Sequence, residues 1–70
     1  MKLFQPGDLV HLPQNTSLYQ YLSDGTPTSM LKLQGPRLAV FWGDGSKDKM
    51  AEVLYDGEVW NTGIESCYTL

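Results

Sequence analysis

The chain has one cysteine, Cys67, and one histidine, His11. A single thiol excludes an intramolecular disulfide and any multi-cysteine metal centre. Small secreted domains normally depend on such staples, so a reducing cytosol is the expected setting. Basic residues are also scarce: Lys2, Lys32, Arg37, Lys47 and Lys49 face eight acidic residues, for a net charge of -3 and a pI near 4.7. Phosphate neutralisation by Lys and Arg supplies most non-specific affinity for DNA and RNA. The charge balance, with the basic positions scattered, therefore disfavours a nucleic-acid partner. Long apolar runs are missing as well. Met1-Lys2-Leu3-Phe4 meets Gln5-Pro6-Gly7-Asp8 before a hydrophobic signal region could form, and no stretch approaches the roughly 20 residues of a membrane span. Neither a leader nor a membrane partner is expected.

What is present is β-patterned. Seventy residues make one domain, residues 1–70, with room for one thin core. Its centre is residues 37–60: Arg37-Leu38-Ala39-Val40-Phe41-Trp42, a Gly/Asp loop Gly43-Asp44-Gly45-Ser46-Lys47-Asp48-Lys49, then Met50-Ala51-Glu52-Val53-Leu54-Tyr55, Asp56-Gly57 and Glu58-Val59-Trp60. Two β-rich runs flank the loop, and the second enters Asp-Gly, the favoured type I′ hairpin dipeptide. Three strands of an antiparallel meander are expected.

Before the meander, the Pro6-Gly7 turn feeds a first strand Leu9-Val10-His11-Leu12, stopped at Pro13. Alternation places Val10 and Leu12 on one face and Leu9 and His11 on the other. Residues 13–34 read as a long first loop that packs down through Tyr19, Tyr21 and Leu22. The capping-box spacing of Ser17 and Gln20 allows one helical turn over residues 18–22, and a strand is expected at Met30-Leu31-Lys32-Leu33. After Trp60, the Asn61-Thr62-Gly63 break leads to a short strand around residues 66–68, following a 3₁₀ turn and pairing back to the first strand. Such pairing would shield two sheet edges.

A two-residue Asp56-Gly57 loop sets Tyr55 opposite Glu58, Leu54 opposite Val59 and Val53 opposite Trp60. Ala51, Val53, Tyr55 and Trp60 then share the face with the larger aromatic payload, which is taken as the interior. Leu54 and Val59 point outward, either under the 13–34 segment, the preferred reading, or as part of a partner surface. Phe41 and Trp42 are adjacent in a strand, so one of them faces out. An exposed Trp42 beside Tyr19 or Tyr21, flanked by Leu54 or Val59, would anchor a partner, because desolvated aromatics carry most interface energy. Trp42, Tyr19, Tyr21, Leu54 and Val59 are thus the candidate binding residues.

Catalytic signals are weak. His11 and Cys67 could meet if the terminal strands pair, but nothing supplies a low-pKa environment for a thiolate, and a buried thiol beside a surface imidazole is the plainer reading. The loop at residues 44–48 alternates carboxylates and Gly, yet it lacks the bidentate Glu of a calcium loop and carries Lys47. No enzyme activity, metal or cofactor is expected.

Phe4-x-Pro6-Gly7-Asp8-Leu9-Val10, Gly35-Pro36-Arg37-Leu38-Ala39-Val40 and residues 53–60 together resemble the small Src-homology-3-like (SH3-like) barrel proteins of tailed bacteriophages, notably those infecting marine cyanobacteria. The resemblance covers residues 4–60. It implies an all-β, five- to six-stranded antiparallel barrel with a long first loop, phage-encoded and acting in the host cytoplasm or with the virion, and it implies no site. The Ala-Leu-Tyr-Asp-Tyr opening and the Trp-Trp pair of proline-rich-peptide binders are absent, so that activity is not carried over. A non-enzymatic interaction module with a protein partner, in its simplest form a homodimer, is the leading expectation. A small barrel that stacks single-stranded nucleic acid on aromatics is the alternative.

Overall fold

The computed structural model describes residues 4–45 and 47–70. Seven strands build one antiparallel sheet: β1 (Leu9–Leu12), β2 (Ser17–Tyr21), β3 (Pro27–Lys32), β4 (Arg37–Asp44), β5 (Met50–Tyr55), β6 (Glu58–Gly63) and β7 (Tyr68–Thr69), with a 3₁₀ turn at Ile64–Ser66 before the last. Their order across the sheet is β3-β2-β6-β5-β4-β1-β7. The sheet is all-β and open, with β3 and β7 at its edges.

The β5–β6 register is the one that a two-residue Asp-Gly turn dictates, with Tyr55 opposite Glu58, Leu54 opposite Val59 and Val53 opposite Trp60. Asp56 at φ 53° and Gly57 at φ 78° supply the two left-handed positions of a type I′ turn. β4 joins β5 through a bulge between Phe41 and Gly43. That extra residue keeps Phe41 opposite Val53 and leaves Trp42 outside the ladder. β1 pairs with β4 and also with β7, so the terminal strands meet as the sequence leads one to expect. The β1–β4 pairing runs on past the strand, because the Gly7 N–H donates to the Phe41 carbonyl at 2.8 Å and the Phe41 N–H to the Asp8 carbonyl at 2.7 Å.

One face of the sheet carries the core. Val10 and Leu12 from β1, Ala39 and Phe41 from β4, Ala51 and Val53 from β5, Trp60 from β6 and Leu18 from β2 form a single buried cluster with Leu33 and Cys67. Phe4 lies against Phe41, with ring centroids 5.5 Å apart. β1 and β2 stand near opposite edges of the sheet yet contribute to this one cluster, so the sheet curls over its own core. Ala51, Val53 and Trp60 are interior as expected, and Tyr55 sits half-buried at the rim.

Residues 13–34 depart from expectation. They are not a long loop with a helical turn but a β-hairpin, which raises the strand count to seven. Ser17-Leu18-Tyr19-Gln20-Tyr21 pairs with β3 along its length and with β6 at Tyr19, burying Leu18, and this tertiary pairing overrides the capping-box spacing of Ser17 and Gln20. The breaker cluster is the hairpin loop: Gly25 is at φ 90°, and the Asp24 carboxylate accepts the Thr26 N–H at 2.9 Å. β3 starts at Pro27 rather than Met30, and all six of its residues are exposed. The final strand is likewise shifted, to Tyr68–Thr69.

The hairpin lies alongside β6 in the plane of the sheet. It does not fold over Leu54 and Val59. Its backbone pairing to β6 is confined to Tyr19 opposite Asn61, and side chains hold the rest of the seam. The Thr62 hydroxyl donates to the Ser17 carbonyl at 3.0 Å, and the Gln20 amide donates to the Val59 carbonyl at 3.2 Å.

Candidate functional site

The face opposite the core carries an apolar row. Leu9 pairs with Val40, Val40 with Leu54 and Leu54 with Val59, so four apolar side chains stand in direct register across β1, β4, β5 and β6. Cross-strand partners share a face with Cβ atoms about 5 Å apart, which makes these residues one continuous ribbon. Leu9 and Leu38 are more than half exposed, and Val40, Leu54 and Val59 are half-buried. Leu38 extends the ribbon beside His11, which in turn pairs with Tyr68 on β7.

The five candidate binding residues fall into two groups. Leu54 and Val59 are direct neighbours within the ribbon. Trp42, released from the ladder by the bulge, is 51% exposed on β4. Tyr19 and Tyr21 lie on β2, with β6 and β5 between them and Trp42. Three strand spacings amount to about 14 Å, so Trp42 is not beside either tyrosine. The tyrosines instead stack on each other, with centroids 6.2 Å apart and ring planes inclined by 28°. Leu9, Leu38 and Val40 complete the surface and were not among the predicted residues. Their signal was the alternation of Leu38-Ala39-Val40-Phe41 once Phe41 is placed inside.

A second feature lies at the β2 end of the same face. A groove of about 390 Å³ is lined by Tyr21, the hairpin loop residues Leu22, Ser23, Asp24 and Gly25, Lys47 from the β4–β5 loop, Glu52 and Asn61. Glu52 and Asn61 are cross-strand partners in its floor. The Lys47 ammonium sits over the Tyr21 ring, 4.5 Å from its centroid, within the range of a cation–π contact. Hydrogen bonds from the Thr26 hydroxyl, then from its backbone N–H, hold the Asp24 carboxyl below its ordinary value. The rim therefore keeps a negative charge at neutral pH.

His11 lies on the face opposite Val10 and Leu12, whereas Cys67 belongs to the core. His11 pairs with Tyr68, and the two rings lie 6.5 Å apart. Cys67, one residue earlier, is fully buried in the core, with its thiol 3.9 Å from the Gly63 carbonyl. Among the described residues, no group of three or more His, Cys, Asp or Glu side chains could hold a metal ion, and no helix is long and apolar enough to cross a membrane. Comparison with protein-family models, curated proteins and solved structures gives no match.

Proposed function

We propose that this chain is a non-enzymatic interaction module that docks through its outer sheet face. The observation that carries the reading is the in-register ribbon Leu9-Val40-Leu54-Val59, with Leu38 exposed beside it and Trp42 exposed on the same strand β4. A curled sheet that buries one face needs no apolar row on the other, and contiguous apolar patches on an outer surface mark docking sites. The occupant is a second copy of the chain. The ribbon carries no charge, so it complements itself about a two-fold axis. A standard interface of about 800 Å² per partner is a modest share of the 4626 Å² that the chain exposes. Concentration-dependent broadening of the Leu9, Val40, Leu54 and Val59 amide resonances is expected. Spectra that do not change with concentration would remove the dimer.

In this reading the curled sheet belongs to the small SH3-like barrels, with the β2–β3 hairpin as an elaborated first loop. Two features support it: the pairing of the terminal strands, and one core shared by strands near both edges. The phage-encoded setting, in host cytoplasm or virion, rests on the resemblance of residues 4–60 alone. Single-stranded nucleic-acid binding is the second reading, favoured by the Tyr19–Tyr21 stack under Lys47, since base stacking on aromatics beside a cation is how such proteins work. Asp24 and Glu52 line the same groove and repel phosphate. A labelled oligonucleotide bound with steep salt dependence would promote this reading over the first.

A further inference from the structure

We propose that the groove between the β2–β3 loop and the β4–β5 loop is a receptor for a basic side chain, an arginine of a partner segment, and that Lys47 is its internal occupant. The inference deepens the reading as an interaction module and rests on it.

Three elements of cation recognition converge there. The first is aromatic. Tyr21 offers a ring face that already holds an ammonium at 4.5 Å, and Tyr19 stacked behind it widens the π surface. The second is the floor. Glu52 is half-buried in register with Asn61, and among the described residues no hydrogen bond or ion pair engages its carboxylate. A partly desolvated carboxylate without a partner is a standing invitation to a charged donor. The third is the rim, where Asp24 stays ionised. Lys47 reports the sign of the groove, because a lysine from a neighbouring loop that is free to extend into water lies over the ring instead. Its position at the ring, and not at the carboxylate, leaves the floor open.

Arginine fits this arrangement better than lysine. Its planar guanidinium stacks on a tyrosine ring and presents a fork of N–H donors that can engage a carboxylate bidentately, whereas an ammonium does only one of these well. An arriving guanidinium would compete with Lys47 for Tyr21, and the two like charges repel. Lys47 thus acts as an internal competitor, and its removal should strengthen binding.

The test is amide chemical-shift titration of the full chain with N-acetyl-arginine methylamide, with the corresponding blocked glutamate and inorganic phosphate as controls. Saturable shifts are expected at Tyr21, Gly25, Glu52 and Asn61 with the arginine probe alone. Lys47→Ala should tighten binding by about two- to fivefold, the scale of an exposed cation–π contact. Glu52→Gln should weaken it by about tenfold, as expected for losing a hydrogen bond to a charged group. Tyr21→Leu should weaken it without removing the charge. Dispersed spectra of each variant establish that it is folded. The proposal is overturned if the parent and Lys47→Ala both fail to saturate at tens of millimolar probe, if Glu52→Gln binds as the parent does, or if phosphate moves the same amides. Loss of arginine binding in a chain that still dimerises overturns the groove alone. A monomer that still binds arginine overturns the outer-face ribbon alone.

Discussion

Replacing Gly57 isolates backbone strain from packing. Gly57 lies at φ 78° in the β5–β6 turn, and a Cβ built there meets nothing within 4 Å. No clash contributes, so the cost is purely conformational. A left-handed L-residue costs roughly 1–2 kcal/mol. For Gly57→Ala part of this is offset, because a stiffer unfolded chain returns about 0.4–1 kcal/mol, leaving a net loss of about 1 kcal/mol. Gly57→Val adds a β-branch in a region it tolerates poorly and should lose about 2–3 kcal/mol. Gly57→Asn should be the mildest, since Asn visits this region with less strain. For a chain of this size each kcal/mol moves Tm by about 4–8 °C, so thermal melts or urea titrations resolve the order Gly, Asn, Ala, Val. If Ala and Val both match the parent, the turn is not type I′, and the β5–β6 register that places Trp60 inside and Val59 outside loses its anchor.

Three further outcomes follow from particular contacts. At Gly45 a Cβ would lie 2.6 Å from the Met50 Cβ and 2.7 Å from its carbonyl carbon, so Gly45→Ala should destabilise by about 1–3 kcal/mol in urea unfolding, while Gly43→Ala, with open space, should change stability by less than about 0.5 kcal/mol. Thr62→Val keeps the shape but removes the donor to the Ser17 carbonyl across the β2–β6 seam; a loss of about 1–3 kcal/mol is expected, with hydrogen exchange speeding most in β2 and β3. Asp24 has a folded-state carboxyl below its ordinary 3.8, so its contribution is present above that pH and disappears as pH falls through the lower folded value; Asp24→Ala should therefore cost stability at pH 7, and the difference from the parent should vanish in strong acid.

The meander was legible in the chain because its signals are local. Asp56-Gly57 names its own turn type, and the turn then assigns Val53, Trp60, Leu54 and Val59 to faces. β1 was equally plain, bounded by Pro6-Gly7 and Pro13. Residues 13–34 were not, for two physical reasons. A five-residue strand such as Ser17–Tyr21 is too short for period two to outweigh a capping-box coincidence. Its seam with β6 depends on Thr62 and Gln20 side chains that come from distant positions in the chain. The groove was hidden for the same reason: Lys47 and Tyr21 are brought together only by the hairpin joining the sheet beside β6. The bulge that isolates Trp42 left no local mark beyond the neighbouring Gly43.

The central claim is that the ribbon Leu9-Val40-Leu54-Val59 is an interface between two copies. Sedimentation equilibrium across a micromolar concentration series tests it directly, on the parent, on Leu54→Lys and Val40→Lys, and on Thr28→Lys, which adds the same charge on the exposed edge strand β3. The predicted result is a dimer-weighted mass for the parent and for Thr28→Lys, and a monomer for both ribbon variants, since a buried unpaired lysine at an interface costs more than a small dimer can supply. A parent that remains monomeric throughout, or ribbon variants that keep the parent's mass, would contradict it.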